Sequence, residues 1–249
     1  MNNNTVNIIF RGHAFRPIIK KKTKKPKKHG VKWRKGIGNI CQESIDNQIV
    51  ILESIIKHIV NPIIDNGYDI CITGSIYSTD YNDVIINFFE KYSLKNNIDF
   101  VNPYPLQIKS AIKACSRPEF YNSYYNILMR LDQFFVKKIP THFLKDTSNI
   151  YYLYFPDKKY TAIADQLHCI PGIYMENFIN YLKDIKNHPM NTEDLSSLHF
   201  VHKRHSNIGY LFNKIELGNS NKRKGSDTDP FFFDLPKCKY DQRYSIYLN

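Results

Sequence analysis

At 249 residues, with 35 Lys and Arg against 23 Asp and Glu, the chain is long enough to bury one elaborated core and carries a formal charge of +12. Ten of those cations fall within residues 20–35 and the remainder is close to neutral, so the charge is a local patch and not a property of a uniformly basic protein. Five scattered cysteines without a C-x-x-C pair argue for reduced thiols and against a zinc module. The polar N-terminus and the lack of a bilayer-length apolar window argue against a signal peptide or membrane span, so a cytoplasmic setting is expected.

Residues 6–10 are a short apolar run and predict the first strand. It leads into Arg11, Gly12, His13, Ala14, Phe15 and Arg16. Gly12 permits a sharp turn or a close backbone approach. Arg11, His13 and Arg16 crowd cations at the carboxyl edge of the strand, where nucleotide-binding α/β folds seat a diphosphate; a solvated basic turn is the plainer alternative. Residues 19–36 read as an inserted polybasic loop, since Pro26 and Gly30 break any helix and no hydrophobic period is present. That loop is either a solvated insertion or a contact for nucleic acid, an anionic membrane or a phosphorylated substrate.

Ser44 can cap a helix running to about residue 66, with Ile45, Ile49, Leu52, Ile59 and Ile63 on one face. Pro62 should kink its last turn, and Asn66 with Gly67 should stop it. A buried strand over 68–72 is expected to end in Thr73, Gly74 and Ser75, followed by a helix over 81–92 capped by Thr79 or Asp80, and a strand over 98–101. Strands joined by helix-length crossovers predict a parallel sheet with right-handed connections. Residues 106–115 read as a helix, Arg117 and Pro118 interrupt it, and 119–125 read as a second helical piece.

The run from 125 to 135 is apolar and β-leaning, yet it carries Arg130 and Asp132. It reads as a strand buried on both faces, in which positions i and i+2 point the same way. Unpaired charges there would cost several kcal/mol, so the two must pair with each other or meet something charged. They either hold the core or present a charged pair where open α/β sheets bind ligands. Residues 150–155 predict an edge strand. Residues 161–172 place Asp165, Gln166 and His168 in an apolar turn, and 174–186 form a helix. Asp165 is a candidate general base in such company, or simply a helix cap. Residues 190–249 are less regular; His199, His202 and His205 have metal-like spacing without a carboxylate, and the Asp227, Thr228, Asp229 triplet lies in a polar loop and reads as chance.

Three of these stretches, in order, resemble a group of viral and bacterial glycosyltransferase-like proteins with a GT-A-like fold. Arg11, Gly12, His13 and Arg16 resemble that group's I-R-G-H-x-R opening, the run from 125 to 135 resembles its YD-x-V-I-R-x-R-x-D strand, and Ile163, Ala164, Asp165 and Gln166 with Met175 resemble its D-R/Q-F … M segment. Tyr68, Asp69 and Ile70 resemble its second strand. The heavy use of Asn, Ile, Lys and Tyr resembles coding by an AT-rich genome, such as that of a large DNA virus. The resemblance implies one GT-A-like, Rossmann-like α/β domain over 1–249, with a mostly parallel sheet flanked by helices. It also implies transfer of a sugar from a nucleotide-sugar to a glycan or protein acceptor. Arg11, Gly12, His13, Arg16 and Arg130 would bind the donor phosphates, Asp132 and Asp165 would be catalytic, and Gln166 and His168 would lie nearby. GT-A enzymes usually carry D-x-D where this chain has Arg130-x-Asp132. Either Asp132 holds Mg²⁺ or Mn²⁺ with the phosphates, or Arg130 neutralises the diphosphate without a metal. The rival readings are a nucleic-acid-binding protein organised on residues 20–35 and an inactive member of the fold.

Overall fold

The computed structural model describes residues 4–15, 40–102, 107–135, 137–154, 167–187 and 207–212. Its strands are β1 (Thr5–Gly12), β2 (Asp69–Tyr77), β3 (Lys95–Val101), β4 (Tyr125–Arg130), β5 (Ile150–Tyr154), β6 (Leu167–Pro171) and β7 (Ile208–Phe212). They form one seven-stranded sheet in the order β3-β2-β1-β4-β6-β5-β7. The first four are parallel, β6 runs against β4 and β5, and β7 is parallel to β5. The helices are α1 (Gln42–Ile55), α2 (Asn61–Ile64), α3 (Asn82–Lys91), α4 (Gln107–Cys115) and α5 (Gly172–Asn187). This is the expected α/β architecture with a mostly parallel sheet flanked by helices.

Strand alternation divides the core into two layers. Val6, Ile8 and Phe10 of β1, with Ile127 and Met129 of β4, pack against Leu52 and Ile55 of α1 and Phe89 of α3. Ile9 and Leu128, on the opposite face, pack against Ile108 and Ala111 of α4 and Phe178 and Leu182 of α5. Phe10 stacks on Phe89 with ring centroids 5.7 Å apart. Burying each such ring is worth about 1.5–3 kcal/mol.

Several elements depart from the sequence expectation. The first helix starts at Gln42 with Cys41 as its N-cap, so Ser44 stands at the third helical position, where its Oγ accepts the Cys41 N–H at 3.3 Å. Its continuation is π-helical over Ile56–Val60 before α2. Pro62 has no N–H for the carbonyl of His58 four residues back, and that carbonyl instead accepts the N–H of Ile139 at 2.8 Å. The second strand does not stop at Thr73 but runs on to Tyr77. Gly74 makes this possible: its φ is +154°, and a Cβ there would lie 2.3 Å from the Phe10 carbonyl oxygen. The piece after Arg117 is a single 3₁₀ stretch, Pro118–Asn122. The 161–172 turn gives way to strand β6 from Leu167, and β7 was not foreseen. Among the described residues no helix is long and apolar enough to cross a membrane.

The amino edge of the sheet is tied by tyrosines. Tyr68 and Tyr124 both donate to the Leu144 carbonyl, at 3.0 and 2.6 Å, and Tyr125 donates to the Asp146 carbonyl at 2.5 Å. The Asp146 carboxylate accepts from the Ser148 hydroxyl, Tyr151 OH at 2.7 Å, Asn149 Nδ2 at 2.6 Å and Ser148 N–H at 2.9 Å. Those hydrogen bonds hold its carboxyl well below the usual carboxylate range. Because the folded value is depressed, the stabilisation is present above the ordinary carboxylate value and fades as pH falls toward the folded one. Asp146→Asn should therefore melt below wild type at pH 7, and the gap should narrow steadily as thermal melts are repeated from pH 4 downward.

Candidate functional site

The connections leave β1 in two directions. β2 and β3 are laid down on one side of it, and the crossover through α4 returns the chain to β4 on the other. The crevice at the carboxyl ends of β1 and β4 is therefore a topological switch point, the place where open α/β sheets bind ligands. Arg11 and Arg130 are register partners across these two strands. Parallel register partners share a face, and this one is the α4 and α5 side. Arg11 is 2% exposed. Its charge acts on the Cys115 thiol of α4, which burial pushes up to about 12 against the pull of Arg11.

Arg130 and Asp132 form a bidentate pair, Nε to Oδ1 and Nη2 to Oδ2, both at 2.9 Å. Their side chains are 12% and 3% exposed. The expectation that they meet is fulfilled, but not through strand alternation. β4 ends at Arg130, and Leu131 and Asp132 form a turn that folds the carboxylate back onto the guanidinium. Gln133 Nε2 lies 3.4 Å from Asp132 Oδ1. The same register row extends outward: Ser75 of β2 pairs with Arg11, and Asp99 of β3 pairs with Ser75. Asp99 in turn bonds Arg117 at 3.0 Å. Ser75, Asp99 and Arg117 were missed in the sequence because nothing local marks them; only the register assembles the row.

Gly12 closes β1 at φ +83°, the sharp turn anticipated for it. His13 is exposed, and its ring stands edge-on to the buried Tyr77 at 4.6 Å. His168 is corrected from a turn residue to a strand residue. It lies in β6 opposite Leu128, fully buried, with its ring edge-on to Tyr152 at 5.2 Å and Phe178 at 6.0 Å. There it packs beneath α5 and not at the open edge. Arg16, Asp165, Gln166, the 20–35 segment and His199, His202 and His205 lie outside the described residues. Leu167, directly after Gln166, pairs with Met129, so the antiparallel β6 begins at the same edge where β1 and β4 end.

The described donors do not fit a divalent cation at Asp132. Such an ion takes several oxygen ligands, whereas here one carboxylate has both oxygens on a guanidinium. No group of three or more His, Cys, Asp or Glu among the described residues could hold a metal. Of the five cysteines, Cys41, Cys71, Cys115 and Cys169 are described, and none of them is in a disulfide.

Fold and site together define an α/β protein with a cation-lined switch point. No family model and no curated protein matches the chain. Among solved structures it is similar to S. aureus TarS, residues 1–349, in complex with UDP. The identity is 12%, the TM-score 0.44, and the match covers 83% of this chain and 57% of that one, so this chain spans little more than half of it.

Breaking a buried ion pair from one side strands the other charge and costs about 3–5 kcal/mol, whereas replacing both partners by apolar groups is far milder. Asp132→Ala should lower unfolding free energy by about 3 kcal/mol or more, and the double substitution Arg130→Met with Asp132→Leu should restore most of that loss in urea titrations.

Proposed function

We propose that the protein transfers a sugar from a nucleotide-sugar donor to a hydroxyl acceptor, with the donor diphosphate at the carboxyl ends of β1 and β4. The observation that carries this reading is convergence. Two of the three stretches that resemble glycosyltransferase-like proteins belong to β1 and β4, which are neighbours in the sheet and end at one edge, and β6, which follows the third stretch in sequence, begins at that edge. Two of the three bring a guanidinium there, Arg11 and Arg130.

In this reading the acceptor oxygen attacks the anomeric carbon, the bond from that carbon to the diphosphate oxygen breaks, and the nucleoside diphosphate leaves with the bonding pair. Negative charge grows on the leaving phosphate, and Arg11 and Arg130 are placed to receive it. A preorganised donor of this kind is worth about 3 kcal/mol of barrier. Gly12 lets the backbone approach the phosphates, His13 adds a donor at the same rim, and Arg16, three residues further along the sequence, is a further candidate for phosphate binding. The diphosphate competes with Asp132 for the Arg130 fork, which frees that carboxylate to orient or deprotonate the acceptor. Asp165, two residues before β6, is the second candidate base, with Gln166 beside it.

A thermal-shift screen of the full chain tests this, using UDP-, GDP- and dTDP-sugars, with CMP-sugars as the monophosphate contrast, each with Mg²⁺, Mn²⁺ or EDTA. A ligand at ~100 times its dissociation constant adds about 2.7 kcal/mol. One nucleotide class should raise the melting temperature, and Arg130→Met should abolish the rise. No shift with any donor, together with a salt-sensitive shift on DNA or RNA, would refute the transferase reading and favour a nucleic-acid partner for residues 20–35.

A further inference from the structure

α1, with the π-helical stretch Ile56–Val60 that continues it, lies beside the segment after β4 and is joined to it at three points. Gln48 Nε2 donates to the Leu131 carbonyl at 3.0 Å. The Phe135 N–H donates to Ser54 Oγ at 3.1 Å, and that hydroxyl donates on to the Ile51 carbonyl at 2.7 Å. The Ile139 N–H donates to the His58 carbonyl, the one that Pro62 leaves without a helical donor. The partners on the loop, 131, 135 and 139, are evenly spaced along it, and the helix meets each with a different kind of group.

Gln48 and Ser54 are 2% and 5% exposed, on a buried helix face shared with Ile45, Ile51, Leu52 and Ile55 and with the polar Ser44 and Asn47. A buried polar side chain is unfavourable unless it is bonded. Leucine at either position would satisfy the amphipathic pattern of the helix. The polar identities are therefore explained by the loop they hold, not by the helix they belong to. Leu131 is the single residue between Arg130 and Asp132. Fixing its carbonyl fixes the plane of the peptide that carries Asp132 into the Arg130 fork.

We infer that Gln48 is a positioning residue: through the Leu131 peptide it holds Arg130 and Asp132 in register with each other, with Ser54 and the proline-freed His58 carbonyl continuing the same hold along the loop. Its effect on donor binding rests on the transferase reading; its effect on the ion pair does not.

The test uses full-length protein labelled with ¹⁵N-arginine. The Arg130 Nε–H, identified by its disappearance in Arg130→Lys, should exchange slowly with water in wild type because it is buried and bonded to Asp132. Gln48→Met removes the donor at nearly constant volume and should speed that exchange about tenfold, the size of effect expected when one buried carbonyl loses its partner. Ser54→Ala, which loses the Phe135 contact, should do the same to a smaller degree and serves if Gln48→Met does not fold. Tyr125→Phe also loses a hydrogen bond, from its hydroxyl to the Asp146 carbonyl, but at the opposite edge, so it should lower the melting temperature and leave the exchange at the wild-type rate. Unchanged exchange in Gln48→Met, or an equal acceleration in Tyr125→Phe, would overturn the inference. In parallel, Gln48→Met should weaken binding of the nucleotide selected by the donor screen about tenfold. Wild type that binds no nucleotide would count against the transferase reading and leave the exchange comparison standing. Wild type and Gln48→Met that bind nucleotide equally would count against the positioning role.

Discussion

Two guanidinium groups, Arg11 and Arg130, stand on adjacent strands at the same rung of the sheet. Neighbouring strands are only about 4.8 Å apart, and both side chains are largely buried. Like charges so placed repel, and each also loses hydration. The Asp132 carboxylate offsets one of them by taking the Arg130 fork with both oxygens. Much else in the structure serves that arrangement. The reversal of strand order opens the crevice, the turn at Leu131 returns the carboxylate to the strand end, and α1 holds the turn in place. In the proposed reading, a donor phosphate would share the Arg130 fork that Asp132 now holds.

The two edges of the sheet are built from different interactions. At the amino edge, Tyr68, Tyr124, Tyr125 and Tyr151 bond to Leu144 and Asp146, and their rings pack on one another and on Phe143. Those interactions are polar, satisfied and aromatic, and they do not depend on a ligand. At the carboxyl edge lie Gly12 at positive φ, the exposed His13, and the row of Asp99, Ser75, Arg11 and Arg130. The geometry that is costly to hold is concentrated where a ligand would contribute to holding it.

The parts legible in the sequence are those governed by a local period. β1 is a continuous apolar run, and α3, α4 and α5 show apolar residues at helical spacing, so each was placed within a few residues of its observed bounds, whereas the run read as a strand over 125–135 ends as one at Arg130. Arg130 and Asp132 were legible as a pair because two charges inside an apolar run have few other options. What failed was set by distant contacts. The extension of β2 past Gly74 depends on the close approach of Phe10, which no local pattern records. The hydrogen bond that the Ile139 N–H donates to the His58 carbonyl, within the π-helical turn, comes from a distant part of the chain. His168 looked like a turn residue because Pro171 and Gly172 follow it, yet antiparallel pairing with β4 draws it into the core. Gln48 carries no local signal in the sequence, and the loop lying on that helix face accounts for its burial.

The central claim is that the two arginines form one anion site. Calorimetric titration of inorganic pyrophosphate into the full chain at low and moderate salt tests it most directly, with Arg11→Met and Arg130→Met measured beside wild type after each is shown to melt cooperatively. The account predicts binding by wild type that weakens as salt screens the charges, and a loss of about tenfold or more in each variant, since a hydrogen bond to a charged group contributes about 1.5–3 kcal/mol. Pyrophosphate that fails to bind wild type, or that binds either variant as tightly as wild type, would contradict it.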